Sequence, residues 1–180
     1  AGEGRRVLLP PLDAGEHRLV IDIGDQGLTY DNRLELPLRV RGPVALINLS
    51  SAVPTALHLA QGELGGAQIA AARALLRETA ERGLYRIVLL HHTVAPDVVS
   101  GRKALIDADA LRAMLAEAGV ELILHGHAHE ALLTTVPGPV GAIPVLAVPA
   151  ASTPAGGRGQ PARWNELEIL REGEGFRTTV

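Results

Sequence analysis

Two segments, IVLLHH at residues 87–92 and LILHGHAHE at residues 122–130, say most about how this chain folds. Five of the seven histidines lie in them. Each segment begins with a short apolar run of the length and composition of a buried strand, and a helical pattern separates the two. We therefore predict parallel neighbouring strands whose C-terminal ends lie close together. Open α/β sheets build their binding sites at that end.

The patterns around these segments alternate between strand and helix in the first half of the chain. We predict a strand at 44–49, a helix at 66–82 that Gly83 ends, and a second helix that begins at an Asp107 N-cap and stops at Gly119. Strands are predicted at 131–136, 143–148 and 164–170, with no helix among them. Residues 1–20 show no clear period. The predicted architecture is one α/β domain over residues 1–180 with a poorly defined start.

Composition excludes several classes of partner. The chain of 180 residues is 47% hydrophobic with a net charge of -3, and it has no run of basic residues that would grip duplex nucleic acid or an anionic membrane. It also lacks an apolar stretch of the ~20 residues that cross a bilayer, and a signal-peptide pattern. These features predict a cytoplasmic protein. Because cysteine is absent, any metal must be held by imidazole and oxygen ligands.

The histidines at the two strand ends suggest a metal centre. In an extended segment residues two apart point the same way, so His127 and His129 can share one cavity that His91 enters from the neighbouring strand. Three neutral imidazoles suit zinc, or manganese or iron if carboxylates join them. We expect His125 to serve packing. His92 is expected to contact the substrate or to hold a ligand in place.

The chain closely resembles the C-terminal half of calcineurin-like metallophosphoesterases, in particular bacterial members similar to cyclic-nucleotide phosphodiesterases. The resemblance covers about residues 20–172 and rests on VALINLSSAVPT, GELGGAQ, LLHHT and LILHGHAHE, in that order and at the family's spacing. It implies a four-layer αββα sandwich with two divalent metal ions, manganese, iron or zinc. It also implies hydrolysis of phosphomonoesters or phosphodiesters by a metal-activated hydroxide.

The resemblance also assigns roles to single residues. His91 and His127 would bind one metal ion, and His129 would bind the other. Thr93 stands where the family has proline, which changes the stiffness of the loop more than metal ligation. Trp164 and Asn165 stand where the family has a tyrosine or phenylalanine followed by asparagine.

Three motifs of the family are missing from this sequence: Asp-x-His, Gly-Asp-x-x-Asp and Gly-Asn-His-Asp. The Gly24-Asp25 pair resembles the start of the second motif, but we interpret it as structural. We assign no role to His17 or His58, since a lone histidine is most often a core or surface residue. A two-metal hydrolase needs a bridging carboxylate, which three histidines do not supply. The chain is therefore expected to lack its N-terminal βαβ portion and to pair with that missing half or with a second copy of itself.

Three functional hypotheses follow. The first is a metal-dependent phosphoesterase that acts on a small phosphate ester or a nucleotide, with this chain supplying the histidine ligands. The second is a noncatalytic remnant, a metal-binding or interaction module. The third is a three-histidine zinc hydrolase for a non-phosphate ester, which lacks a recognisable general base.

Overall fold

The computed structural model of the chain describes residues 15–22, 33–41, 44–156 and 159–180. Within these ranges the strands are β1 (Gly15–Asp22), β2 (Arg33–Arg41), β3 (Val44–Leu49), β4 (Tyr85–Leu90), β5 (Leu122–His125), β6 (Leu132–Pro137), β7 (Ala142–Ala147), β8 (Leu167–Glu172) and β9 (Gly175–Thr179). The helices are α1 (Gly66–Glu81) and α2 (Ala108–Ala118), and a short 3-10 turn spans Gly101–Lys103.

A mixed five-stranded sheet forms the centre of the molecule, in the order β3-β4-β5-β7-β6. Strands β3, β4, β5 and β7 run parallel, and β6 returns antiparallel to β7. Helix α1 connects β3 to β4 and helix α2 connects β4 to β5, as βαβ units require, whereas β5 is followed by β6 and then β7. The predicted α/β class and the predicted pairing of the two histidine-bearing strands are thus confirmed.

The two helices pack on one face of this sheet. In α1 the buried residues are Ile69, Ala72, Leu76 and Thr79, which follow helical spacing along one face. In α2 the buried residues are Leu111, Met114 and Leu115. All of these side chains except that of Thr79 belong to one apolar core, together with residues of β3, β4, β5, β6 and β7. None of the helices in the described residues is both long enough and apolar enough to cross a membrane.

The other face of the central sheet is covered by a second sheet, in the order β1-β2-β8-β9. Leu167 and Ile169 of β8 are buried with Tyr85, Ile87 and other residues of β4, β5 and β7, and Phe176 of β9 packs against this second core. Tyr85 and Phe176 meet edge to face, with ring centroids 5.2 Å apart. The described chain therefore has three layers, helices, central sheet and second sheet.

The strands of the second sheet depart most from the sequence predictions. Strand β1 covers Gly15–Asp22, where the sequence shows no clear period up to residue 20; it pairs antiparallel with β2, which runs parallel to β8. Strand β8 begins at Leu167, three residues later than predicted, and a tight turn connects it to β9, which is not among the predicted strands. Residues 1–14 and the pair at 24–25 lie outside the described residues.

Candidate functional site

The parallel pairing of β4 and β5 sets the position of the candidate site. Leu90, the last residue of β4, lies opposite His125, the last residue of β5. The segments that follow the two strands stay together, because Gly126 donates a backbone hydrogen bond of 3.2 Å to the carbonyl of His91. Both histidine segments consequently emerge side by side at the C-terminal edge of the sheet.

Three imidazole rings contact one another at this edge. The Nδ1 of His127 lies 3.0 Å from the Nε2 of His91, a hydrogen bond in which one ring donates and the other accepts. The ring of His92 is 4.3 Å from that of His127 and 5.0 Å from that of His91, between centroids. We refer to His91, His92 and His127 as the histidine cluster.

His92 is the most firmly held member of the cluster. It is buried, and its Nε2 donates to the carbonyl of Ala60 at 3.1 Å, since a carbonyl can only accept. Its Nδ1 therefore accepts from the hydroxyl of Ser51 at 2.8 Å. A Cβ at Gly62 would lie 2.3 Å from this Nδ1, so only glycine leaves room for the ring. Because both ring nitrogens are engaged within the chain, the geometry favours a positioning role for His92 over contact with a substrate.

The loop after β5 is not the extended segment that we expected. His127 and His129 have φ angles of 62° and 57°, in the left-handed region that side chains with a Cβ rarely adopt. Around His127 the chain makes a tight turn in which Ala128 donates to the carbonyl of Gly126 at 2.7 Å. The premise that His127 and His129 point alike as alternate strand residues is therefore wrong. Strained backbone of this kind is concentrated at ligand-binding and catalytic sites.

His129 lies at the outer side of the cluster. It is exposed, and it is close enough to His127 that its charge contributes to lowering the pKa of His127. The structure brings His91 and His127 together with His92.

The electrostatics of the cluster keep the rings of His92 and His127 neutral. Burial, and then the charges of His92, His91, Lys103 and His129, lower the pKa of His127 to about 4. Burial and the neighbouring His91 also lower the pKa of His92. Neutral imidazole is the form that binds a metal ion, so His127 need not lose a proton at pH 7 to do so.

Two buried ring nitrogens have no hydrogen-bond partner among the described residues, the Nε2 of His127 and the Nε2 of His125. A buried polar atom without a partner costs about 1–3 kcal/mol, so it calls for an explanation. In His125 the Nδ1 donates to the carbonyl of Gly126 at 2.9 Å, which leaves its Nε2 as a lone pair. Burial lowers the pKa of His125, which keeps this nitrogen unprotonated.

The cluster meets part of what a divalent ion requires. Two nitrogens bound to one ion at about 2.0–2.1 Å lie about 2.9 Å apart at a right angle and about 3.3 Å apart at a tetrahedral angle. The 3.0 Å between His91 and His127 falls in this range. Within the described residues, however, no group of three or more histidine, aspartate or glutamate side chains is arranged to hold a metal. Histidine nitrogens are thus in place, while oxygen ligands are not.

Asp107 has a different role from the one predicted. It precedes α2, but its side chain makes no capping hydrogen bond to that helix. Its carboxylate instead accepts from the backbone N–H of Leu64 at 3.0 Å and of Gly65 at 2.8 Å, directly before α1. Asp107 therefore anchors the GELGG segment, which includes the Gly62 that faces His92.

Other residues of the family pattern lie outside the cluster or support it. Trp164 is exposed and Asn165 half-buried, both ahead of β8. Thr93 is buried, and its hydroxyl accepts from the backbone N–H of Ala95. Sequence reasoning missed Ser51, which orients His92. Its place at the end of β3, on the same sheet edge as the histidines, is the signal that would have found it.

The chain matches no protein-family model and no curated protein.

Proposed function

We propose that the chain supplies the histidine side of a divalent metal centre that hydrolyses phosphate esters. The observation that carries the proposal is the 3.0 Å approach of His91 and His127, two imidazoles from the segments that follow adjacent parallel strands, at the edge where α/β sheets form sites. Two further features support it: the strained backbone of His127 and the rigid support of His92.

The residues divide into ligands and supports. His91 and His127 would hold one ion, and His129 would contribute to a second. His92 would fix the position of the two rings it touches through its bonds to Ser51 and Ala60. When bound, zinc, manganese or iron supplies Lewis acidity and lowers the pKa of water. The carboxylates that join two ions would come from residues outside the described ranges or from another polypeptide.

The same proposal extends to the fold. The order of helices, central sheet and second sheet is compatible with three layers of the four-layer αββα sandwich of calcineurin-like metallophosphoesterases. In that arrangement the outer face of the second sheet would be covered by the fourth, helical layer. The substrate would be a phosphomonoester or phosphodiester, a small molecule or a nucleotide.

A second candidate function is metal binding without catalysis. It is favoured by the lack, within the described ranges, of a third ligand placed beside His91 and His127. A site with two imidazoles and water would hold an ion weakly and would leave nothing to bridge a second one.

Metal content and hydrolysis, measured together, test the proposal. The purified chain is dialysed against zinc or manganese and analysed for bound metal, and p-nitrophenyl phosphate and bis(p-nitrophenyl) phosphate are assayed with the same samples. We expect metal in the wild type and in His58→Ala, a control at an exposed histidine outside the cluster. We expect little in His91→Ala and His127→Ala, with hydrolysis following metal content. Metal without hydrolysis would favour the second candidate, and a wild type without metal would contradict both.

A further inference from the structure

Lys103 is the only lysine among the 17 basic residues of the chain, and it lies in a turn that is hydrogen-bonded to the segment supporting the histidine cluster. It is exposed and ends the 3-10 turn Gly101–Lys103, in the connection between β4 and α2. The other basic residues are arginines, whose planar groups favour fixed two-point contacts, whereas a lysine ammonium is a compact charge on a flexible stem.

A chain of contacts ties this turn to the cluster. The carbonyl of Arg102 accepts from the backbone N–H of Ala60 at 2.9 Å, and the carbonyl of Ala60 accepts from His92. The ring of His92 in turn contacts that of His127. The turn carrying Lys103 is therefore separated from the histidine cluster by a single residue, Ala60.

Further hydrogen bonds fix the same turn against the segment that supports His92. The amide of Gln61 donates to the carbonyl of Gly101 at 2.8 Å. Gly62 donates to Ala104 at 3.1 Å and accepts from Ile106 at 2.8 Å. The backbone of the turn is thus held on both sides of Lys103, which leaves the side chain as the part that can move toward a ligand.

No acidic side chain in the described residues forms an ion pair with Lys103. The turn that carries it is one residue removed from the histidine cluster. A cation placed beside imidazoles, and beside a metal ion if one is bound, is an unfavourable arrangement that an anion would relieve.

We propose that Lys103 binds the phosphoryl group of the substrate, or the phosphate product, next to the histidine cluster. The inference rests on the proposed function, because it places the anion at the site that the histidines form. It supplies what the histidines lack, a cation that orients a compact oxyanion. Lys103 is then a binding residue for the phosphate group, and metal binding does not depend on it.

Because the lysine is unique, it can be observed directly. Reductive dimethylation with 13C-formaldehyde keeps the charge and labels Lys103 and the amino terminus only, and the Lys103 signal is identified by its loss in Lys103→Gln. In the zinc-loaded chain we expect inorganic phosphate to shift the Lys103 signal saturably, with chloride at equal ionic strength as the control for screening. In Arg102→Gln, which removes the neighbouring cation, the shift should persist.

Three results separate this inference from the proposed function. If the wild type binds no zinc, the proposed function fails and this inference fails with it. If zinc binds and phosphate moves the Lys103 signal no more than chloride does, this inference alone is overturned. If phosphate binds as expected, Lys103→Gln should keep its zinc but raise the KM for p-nitrophenyl phosphate about tenfold, and Lys103→Arg should recover part of the loss.

Discussion

The Nδ1 of His127 lies 3.0 Å from the Nε2 of His91, across the ends of two parallel strands. In the metal-free chain the two rings share one proton in a hydrogen bond. A metal ion bound by both nitrogens would replace that proton and would link β4 to β5 through an additional connection. Metal binding should therefore increase the stability of the folded chain.

The first prediction concerns this stabilisation. At zinc concentrations about 100 times Kd, a ligand that binds only the folded state adds about 2.7 kcal/mol, which raises Tm by about 5–10 °C for a chain of this size. Scanning calorimetry should show that rise in the wild type and in His58→Ala. It should be absent in His91→Ala and His127→Ala, and the double variant should resemble either single one. A full zinc-dependent rise in His91→Ala would contradict the shared site.

The second prediction concerns the backbone of His127. At a φ of 62°, a residue with a Cβ destabilises the folded chain by about 1 kcal/mol or more, whereas glycine adopts this φ without strain. In the metal-free chain, urea unfolding should show His127→Gly to be more stable than His127→Ala by about 1 kcal/mol, because both lose the ring and only glycine relieves the strain.

His91 is the matched control for this strain, because its φ is not positive. There the order should be reversed, with His91→Gly less stable than His91→Ala by about 0.5–1 kcal/mol, since glycine loses more entropy on folding. If glycine is the worse replacement at both positions, the turn at His127 is not strained.

The third prediction concerns Asp107, whose carboxylate bonds to the backbone of Leu64 and Gly65. Asp107→Asn keeps the shape but removes the charge from these hydrogen bonds, and it should lower the free energy of unfolding by about 1–2 kcal/mol. Asp109→Asn is the control, since Asp109 lies in the first turn of the same helix but is exposed and pairs only with Arg112 in the described residues. Asp109→Asn should lower the free energy of unfolding by less than about 0.5 kcal/mol. Equal losses in the two variants would assign the effect to the charge at the start of α2.

The helices and the central sheet could be predicted because their signals are local and repeated. The apolar face of α1 follows a 3.6-residue period, and Gly83, with a φ of 63°, stands where the helix has to end. The apolar runs of β3, β4 and β5 are separated by helices, which makes parallel pairing the simple solution. The meeting of His91 with His127 followed from that pairing.

The rest depended on contacts that the local pattern does not specify. The prediction that His127 and His129 point the same way assumed that the strand continues beyond His125, but β5 ends there. The left-handed φ of His127 is set by the surrounding structure and not by the local pattern. The carboxylate of Asp107 has a cap-like position in the sequence, but its partners are 42 and 43 residues away. In β2 the apolar residues alternate from Leu34 to Val40, a strand signal that Pro37 obscures. Strand β8 pairs with β2 only from Leu38 onward, so Pro37 removes no backbone hydrogen bond between β2 and β8.

The last prediction concerns pH and the core between the sheets. Tyr85 is 1% exposed, and its hydroxyl lies 2.6 Å from that of Thr178 on β9. Burial raises the pKa of Tyr85 above its usual 10, and the nearby Glu121 adds to this, while the hydrogen bond with Thr178 opposes it. The unfolded chain therefore loses this proton first, so the stability that Tyr85 contributes is complete below pH 10 and falls as the pH rises through the folded pKa.

Urea unfolding between pH 8 and 11 measures this loss, with Tyr85→Phe as the reference that keeps the ring and removes the titrating group. Lysine, arginine and the second tyrosine titrate alike in both proteins, so the difference in unfolding free energy isolates Tyr85. We expect that difference to be constant up to about pH 9.5 and then to decrease for the wild type relative to Tyr85→Phe. A difference that stays constant to pH 11 would mean that Tyr85 ionises with equal ease in the folded and unfolded chain, which its burial between the two sheets does not allow.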